Sequence, residues 1–140
     1  MFGWFRKKEE SLQEFADNRA AFEYACTHLP NRILLEAVIP ALVEGEGRRG
    51  SDGERCFSIR LAAPDGGREM WACTLAEATA WPEIGDLVGF RVVTIAEDLA
   101  PDPIPVGYIS CVLAPVLAEG KRWRIARNLT PENIKQAVRF

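Results

Sequence analysis

The stretch CFSIRLAAPDGGREMWACTLAE, residues 56–77, constrains the fold more than any other part of the chain. Phe57, Ile59 and Leu61 alternate with Ser58 and Arg60, and Trp71, Cys73 and Leu75 alternate with Met70, Ala72 and Thr74. A period of two belongs to a strand with one buried face, so the stretch reads as two strands. Between them lies PDGG, whose residue types favour a turn. Loop length decides which faces meet, because a slip of one residue turns a strand over. A two-residue loop at Asp65-Gly66 sets Arg60 opposite Trp71, whereas a three-residue loop, Asp65-Gly66-Gly67, pairs residues whose numbers sum to 132. The second choice makes three apolar pairs: Phe57 with Leu75, Ile59 with Cys73 and Leu61 with Trp71. The expectation is a three-residue turn with Gly67 in the left-handed region.

Upstream, Ser11 and Glu14 form an S-x-x-E pattern, which predicts a capped helix start. Leu12, Phe15, Phe22, Cys26 and Leu29 follow at steps of 3, 7, 4 and 3, one stripe of a helix over residues 12–28 that Pro30 ends. Residues 33–43 carry both helix-favouring (Leu34, Leu35, Glu36, Ala37) and strand-favouring (Val38, Ile39) types. A strand is the reading adopted there, with Pro40 at an edge or bulge. Residues 44–55, EGEGRRGSDGER, are glycine-rich and charged and read as a long hairpin loop. Val88, Phe90 and Val92 share one face of a further strand. Residues 97–107 hold three prolines in an acidic crossover, VGYISCVLAPVLA is another apolar strand, and RWRIARNL is the last. Thr130 and Pro131 open a short closing helix over residues 131–139.

The order is a helix, five or six strands joined mostly by hairpins, and a short helix. It predicts one α+β domain over residues 11–140, preceded by a leader of residues 1–10, with the β region at 33–129. Short antiparallel strands in that number curl into an SH3-like or OB-like barrel, because closure removes exposed edges. The first helix would cover one open face or end.

The chemistry of sites is thinly represented. Cys26, Cys56, Cys73 and Cys111 form no CxxC pair, and no histidine lies at ligand spacing, so no metal site or cofactor is expected. They read as reduced thiols serving as small hydrophobes. The single histidine, His28, is placed to interact with the last carbonyls of the first helix. Glu97, Asp98 and Asp102, like Glu44 and Glu46, read as solvated loop charges rather than a paired acid and base. No catalytic residue is nominated. Without a secretory h-region, a membrane span or a myristoylation pattern, the expected compartment is the cytoplasm, with no integral insertion in a membrane.

Two features remain as binding candidates. Phe2, Trp4 and Phe5 precede Arg6, Lys7 and Lys8. That leader suits docking on its own domain, anchoring to another protein or to a second copy, or shallow contact with an anionic membrane. In KRWRIAR, Trp123 and Ile125 alternate with Arg122 and Arg124, with Lys121 before and Arg127 after. Arginines with an aromatic on a barrel face suit single-stranded nucleic acid, although 17 basic against 20 acidic residues disfavour a strong binder. The leading expectation is a non-catalytic binding or adaptor module that recognises through the leader and the loops 44–55 and 97–107. A weak nucleic-acid binder through Lys121, Arg122, Arg124 and Arg127 is the alternative, and an enzyme with no recognisable motif the third.

Overall fold

The computed structural model describes residues 11–28, 37–49, 54–96 and 104–130. The leader and the expected closing helix at 131–139 lie outside the described residues, as do 29–36, 50–53 and 97–103.

The chain builds a mostly antiparallel sheet of seven strands with one helix. The elements are β1 (Leu12–Glu14), α1 (Asn18–His28), β2 (Val38–Arg49), β3 (Glu54–Leu61), β4 (Arg68–Cys73), β5 (Leu87–Ala96), β6 (Ile104–Ala118) and β7 (Arg122–Asn128). The spatial order β4-β3-β2-β5-β6 continues to β7 on one edge of β6. β1 pairs with Val116, Leu117 and Ala118 of β6, on the same edge as β5 but beyond its end.

The sheet is open, which corrects the expected SH3-like or OB-like barrel. Closure would need β4 to run along the free edge of β6. β7 occupies that edge from Cys111 to Ala118, so β4 reaches β6 only through an isolated bridge from Thr74 to Ile109. Leu129, fully buried, then packs into the gap, its amide donating to the Ser110 carbonyl and its carbonyl accepting from Thr79.

The expected helix over 12–28 is also corrected. Residues Leu12–Glu14 are strand, because β6 offers them a ladder: Phe15 N donates to Pro115 O, and Glu119 N donates to Ser11 O. The Ser11 carbonyl, which an N-cap residue would give to the first turn of a helix, is engaged by Glu119 instead. The helix starts instead at Asp17, whose carboxylate accepts from Ala20 N at 2.8 Å. That is an N-cap contact to the third helical residue.

Residues 44–49 are strand rather than loop. Glu44 and Glu46 face Arg60 and Arg55 across the β2–β3 ladder at 3.1 and 2.6 Å. These pairs give a polar, glycine-rich strand a partner that sequence periodicity does not reveal. A bulge between Val43 and Gly45 absorbs one extra residue of β2. Pro40 sits inside β2 without breaking it. Its carbonyl accepts from Ala62 N, so its nitrogen faces the side on which β3 has just ended at Leu61. Residues 104–107, expected within the crossover loop, open β6.

The β3–β4 hairpin carries the largest register difference. Its partners sum to 129, as in Phe57 with Ala72 and Ile59 with Met70. The connection runs through residues 62–67 and contains a 3-10 turn at Pro64–Gly66. Asp65 takes the left-handed conformation at φ 65°. Gly67 has φ 104° and ψ 172°, a positive φ outside the left-handed helical region. A side chain at Gly67 would also meet Arg60 Cγ at 2.6 Å and Phe22 Cζ at 2.8 Å, so close packing as well as backbone geometry requires glycine.

Apolar side chains collect on both faces. Val43, Phe57, Ile59, Leu61, Val88, Phe90, Val92 and Ile109 fill the face that the curled sheet wraps around. On the other face α1 lays Ala21, Phe22, Ala25 and Cys26 over Leu42, Leu87, Cys111 and Leu113. Full burial of one such valine, leucine or phenylalanine contributes about 1.5–3 kcal/mol.

Candidate binding cleft

Beside α1, on the helix-covered face, the β6–β7 ribbon opens. Leu113 pairs with Ile125 and Leu117 with Trp123, so four steps along β6 match two along β7 and residues 114–116 bow outward. β7 follows a tight turn in which Glu119 and Gly120 have φ of 53° and 68° and Lys121 N donates to Ala118 O. The turn sets Lys121 and Arg122 at one end of a cleft of about 490 Å³. Across the sheet, Val38, Arg91 and Tyr108 form one row, because Arg91 is the register partner of both others. Arg91 and Tyr108 line the cleft with Trp123, Ile125 and Asn128.

Trp123 forms a wall that α1 holds in place. Its ring packs on Phe15 at 5.6 Å, Phe15 on Tyr24 at 5.1 Å, and Tyr24 stacks on His28 at 4.3 Å. Trp123 Nε1 is buried and has no hydrogen-bond partner among the described residues. Leaving a buried donor unmet costs about 1–3 kcal/mol. Burial pushes the Tyr108 phenol above the ordinary tyrosine range, and the Arg91 guanidinium pulls it partly back. Three cations, Arg91, Lys121 and Arg122, therefore border the cleft, and no carboxylate side chain is among its described lining residues. Glu119 lies 3.9 Å from Arg122, with both side chains more than half exposed, a pairing that water and salt weaken.

Of the four cations singled out in the last strand, the structure brings two to the cleft. Arg124 is exposed on β7 and does not line it. Arg127 donates to the Trp81 carbonyl at 3.1 Å and lies 3.6 Å from Asp86. Phe2, Trp4, Phe5, Arg6, Lys7 and Lys8 are outside the described residues. Arg91, Tyr108 and Trp123 join the site through strand pairing. Arg91 interrupts the apolar run VGFRVV, and that interruption was the one available signal for it.

Elsewhere, on β3, Arg60 bridges Glu44 and Glu69 at 3.1 and 2.7 Å. The Glu44 hydrogen bond, against some desolvation, holds its guanidinium still more firmly charged. No group of three or more histidine, cysteine, aspartate or glutamate side chains that could hold a metal occurs among the described residues. No described helix is long and apolar enough to cross a membrane. Comparisons with protein-family models, with curated proteins and with solved structures find no match to this chain.

Proposed function

We propose that the chain is a non-catalytic binding module whose recognition surface is the β6–β7 cleft, and that it takes a small organic anion with a flat, apolar body. The observation that carries this reading is the cleft lining: apolar walls from Val38, Trp123 and Ile125, with Arg91, Lys121 and Arg122 at its borders. Its volume is within the range of small-molecule sites, roughly 300–1,000 Å³. Apolar walls supply affinity, and a few cations fix the orientation of a carboxylate or phosphate. Arg127 is engaged by Asp86 and the Trp81 carbonyl, and Arg124 does not line the cleft, which favours a compact ligand over a nucleic-acid strand tracking β7.

The test is titration of the full chain with 2-naphthoate and with its neutral amide, followed by calorimetry and amide chemical shifts. Naphthoate is expected to saturate and to bind about tenfold more tightly than the amide, a difference of about 1.4 kcal/mol. Lys121→Ala combined with Arg122→Ala is expected to remove most of that difference. Equal binding of acid and amide, or naphthoate shifts away from β6 and β7, refutes the reading. Retention of single-stranded RNA at low salt, lost in the same double variant, favours the nucleic-acid alternative instead. The leader stays proposed as a contact for a protein partner or a second copy. A chain shortened to begin at Glu10 should then keep its thermal midpoint and lose that association.

A further inference from the structure

Cys56 and Cys73 are direct register partners across β3 and β4, and neither is held in a disulfide. Their place in the ladder follows from one hydrogen bond. Ala62 N donates to Pro40 O, which makes Ala62 and Pro40 a hydrogen-bonded pair and turns the amide and carbonyl of Ala62 toward β2. Backbone polar groups alternate sides along a strand, so those of Arg60, Ser58 and Cys56 also face β2. The groups of Leu61, Ile59 and Phe57 face β4. The bulge in this hairpin lies on β2, between Val43 and Gly45, and leaves the alternation of β3 intact. Cys56 and Cys73 therefore form a non-hydrogen-bonded pair, the close kind, with Cα atoms about 4.5 Å apart and side chains on one face. Disulfides span Cα separations of about 4.4–6.8 Å. Cys73 is partly exposed while Cys56 is 6% exposed, so one thiol is open to a reagent and the other waits beside it.

We propose that Cys56 and Cys73 are an oxidation site, a dithiol that a low-molecular-weight disulfide converts to a cross-strand disulfide. The Cys73 thiolate attacks one sulfur of the reagent, forming a mixed disulfide and releasing one thiol. The Cys56 thiolate then attacks Cys73 Sγ, forming the internal bond and releasing the second thiol. Two protein thiols are oxidised, one reagent disulfide is reduced, and the two protons leave on the released thiols. Cys73 adjoins Thr74, whose bridge to Ile109 is where β4 meets β6. The bond would fix the end of β4, a strand at the edge of the sheet, next to the bridge that ties it to β6. Cys26 and Cys111 are buried on the helix-covered face and serve as internal controls.

The test equilibrates the full chain with oxidised glutathione, blocks remaining thiols, and maps linkages by mass spectrometry without reduction. The expected product is two hydrogens lighter and joins the Cys56 and Cys73 peptides. Closing the loop between them should raise the thermal midpoint by about 5–10 °C, reversed by dithiothreitol. Cys56→Ser and Cys73→Ser should each abolish both the linkage and the rise. Cys73→Ser decides the matter if the more buried Cys56→Ser fails to fold. Three results overturn the proposal: a bond involving Cys26 or Cys111, a stable glutathione adduct on Cys73, or full retention of all four thiols.

Discussion

Gly107 lets the β6 backbone lie closer to β5 than a Cβ allows, and replacing it with alanine should cost more than the same change at any other described glycine. A Cβ there would lie 1.7 Å from the carbonyl oxygen of Arg91, 2.8 Å from its carbonyl carbon and 3.2 Å from Val92 Cα. Carbon and carbonyl oxygen need about 3.3 Å. The strands must therefore separate locally by about 1.6 Å, which stretches a ladder hydrogen bond of about 2.9 Å beyond usefulness. Two or three such bonds, at about 1 kcal/mol each, are lost around the Val92–Gly107 and Arg91–Tyr108 pairs. Val92 and Ile109, both 0% exposed, loosen as well. Alanine restricts the unfolded chain and returns about 0.4–1 kcal/mol. The bonds less this return leave a net loss of about 2 kcal/mol, to which the loosened side chains add, a fall in thermal midpoint of about 5–10 °C. Gly45→Ala is the control, since its Cβ would meet only Ser58 Cβ at an ordinary 3.5 Å. Urea unfolding followed by tryptophan fluorescence measures both variants. A Gly107→Ala loss within about 1 kcal/mol of the Gly45→Ala loss would sink the argument.

Asp17→Ala removes the helix cap and should lower stability by about 1 kcal/mol in urea unfolding, whereas Ser11→Ala leaves the helix intact and should cost less. Phe57→Ala empties a site with 0% exposure and should cost about 3–5 kcal/mol. Trp71→Ala removes a side chain that is 60% exposed and should cost under about 1 kcal/mol. Because Tyr108 is raised by burial, its neutral form is favoured in the fold. Its contribution is complete below the ordinary tyrosine value of about 10 and lost as pH rises through the higher folded value. Absorbance titration at alkaline pH should show a late-ionising tyrosine that vanishes in Tyr108→Phe.

The parts of the fold that follow from one strand's own periodicity were legible. Phe57, Ile59 and Leu61 on one face, like Val88, Phe90 and Val92, are buried as alternation requires. What failed depends on partners. The Ser11–Glu14 pattern is a sound local helix start, but the long β6 extends past β5 and offers residues 12–14 a ladder, and tertiary pairing outweighs a capping box. EGEGRR has no apolar rhythm, and it becomes strand by pairing with β3, whose Arg55 and Arg60 reach its glutamates diagonally. The cleft was half legible for the same reason. Lys121 and Arg122 are contiguous in sequence, while Arg91 and Tyr108 meet only through the β5–β6 register.

The β3–β4 hairpin shows how one wrong choice propagates. Maximising apolar cross-strand pairs selects a sum of 132, which sets Cys73 against Ile59 and buries Trp71 against Leu61. The observed sum of 129 differs by three, an odd number, so every residue of β4 changes face. Ala72 and Met70 turn toward the core in place of Cys73 and Trp71. A longer turn through Ala62 and Ala63 makes this possible, and it lets Ala62 donate to Pro40, whose own nitrogen cannot bond. The same slip sets Trp71 out over Gly47, 3.3 Å from where a Cβ would stand, and brings Cys73 opposite Cys56. Met70 and Ala72 thus face the core, and Trp71 and Cys73 gather on the outer face. The thiol pair and the exposed tryptophan are two consequences of one register, so a mapped bond between Cys56 and Cys73 would test the hairpin itself as directly as it tests the chemistry.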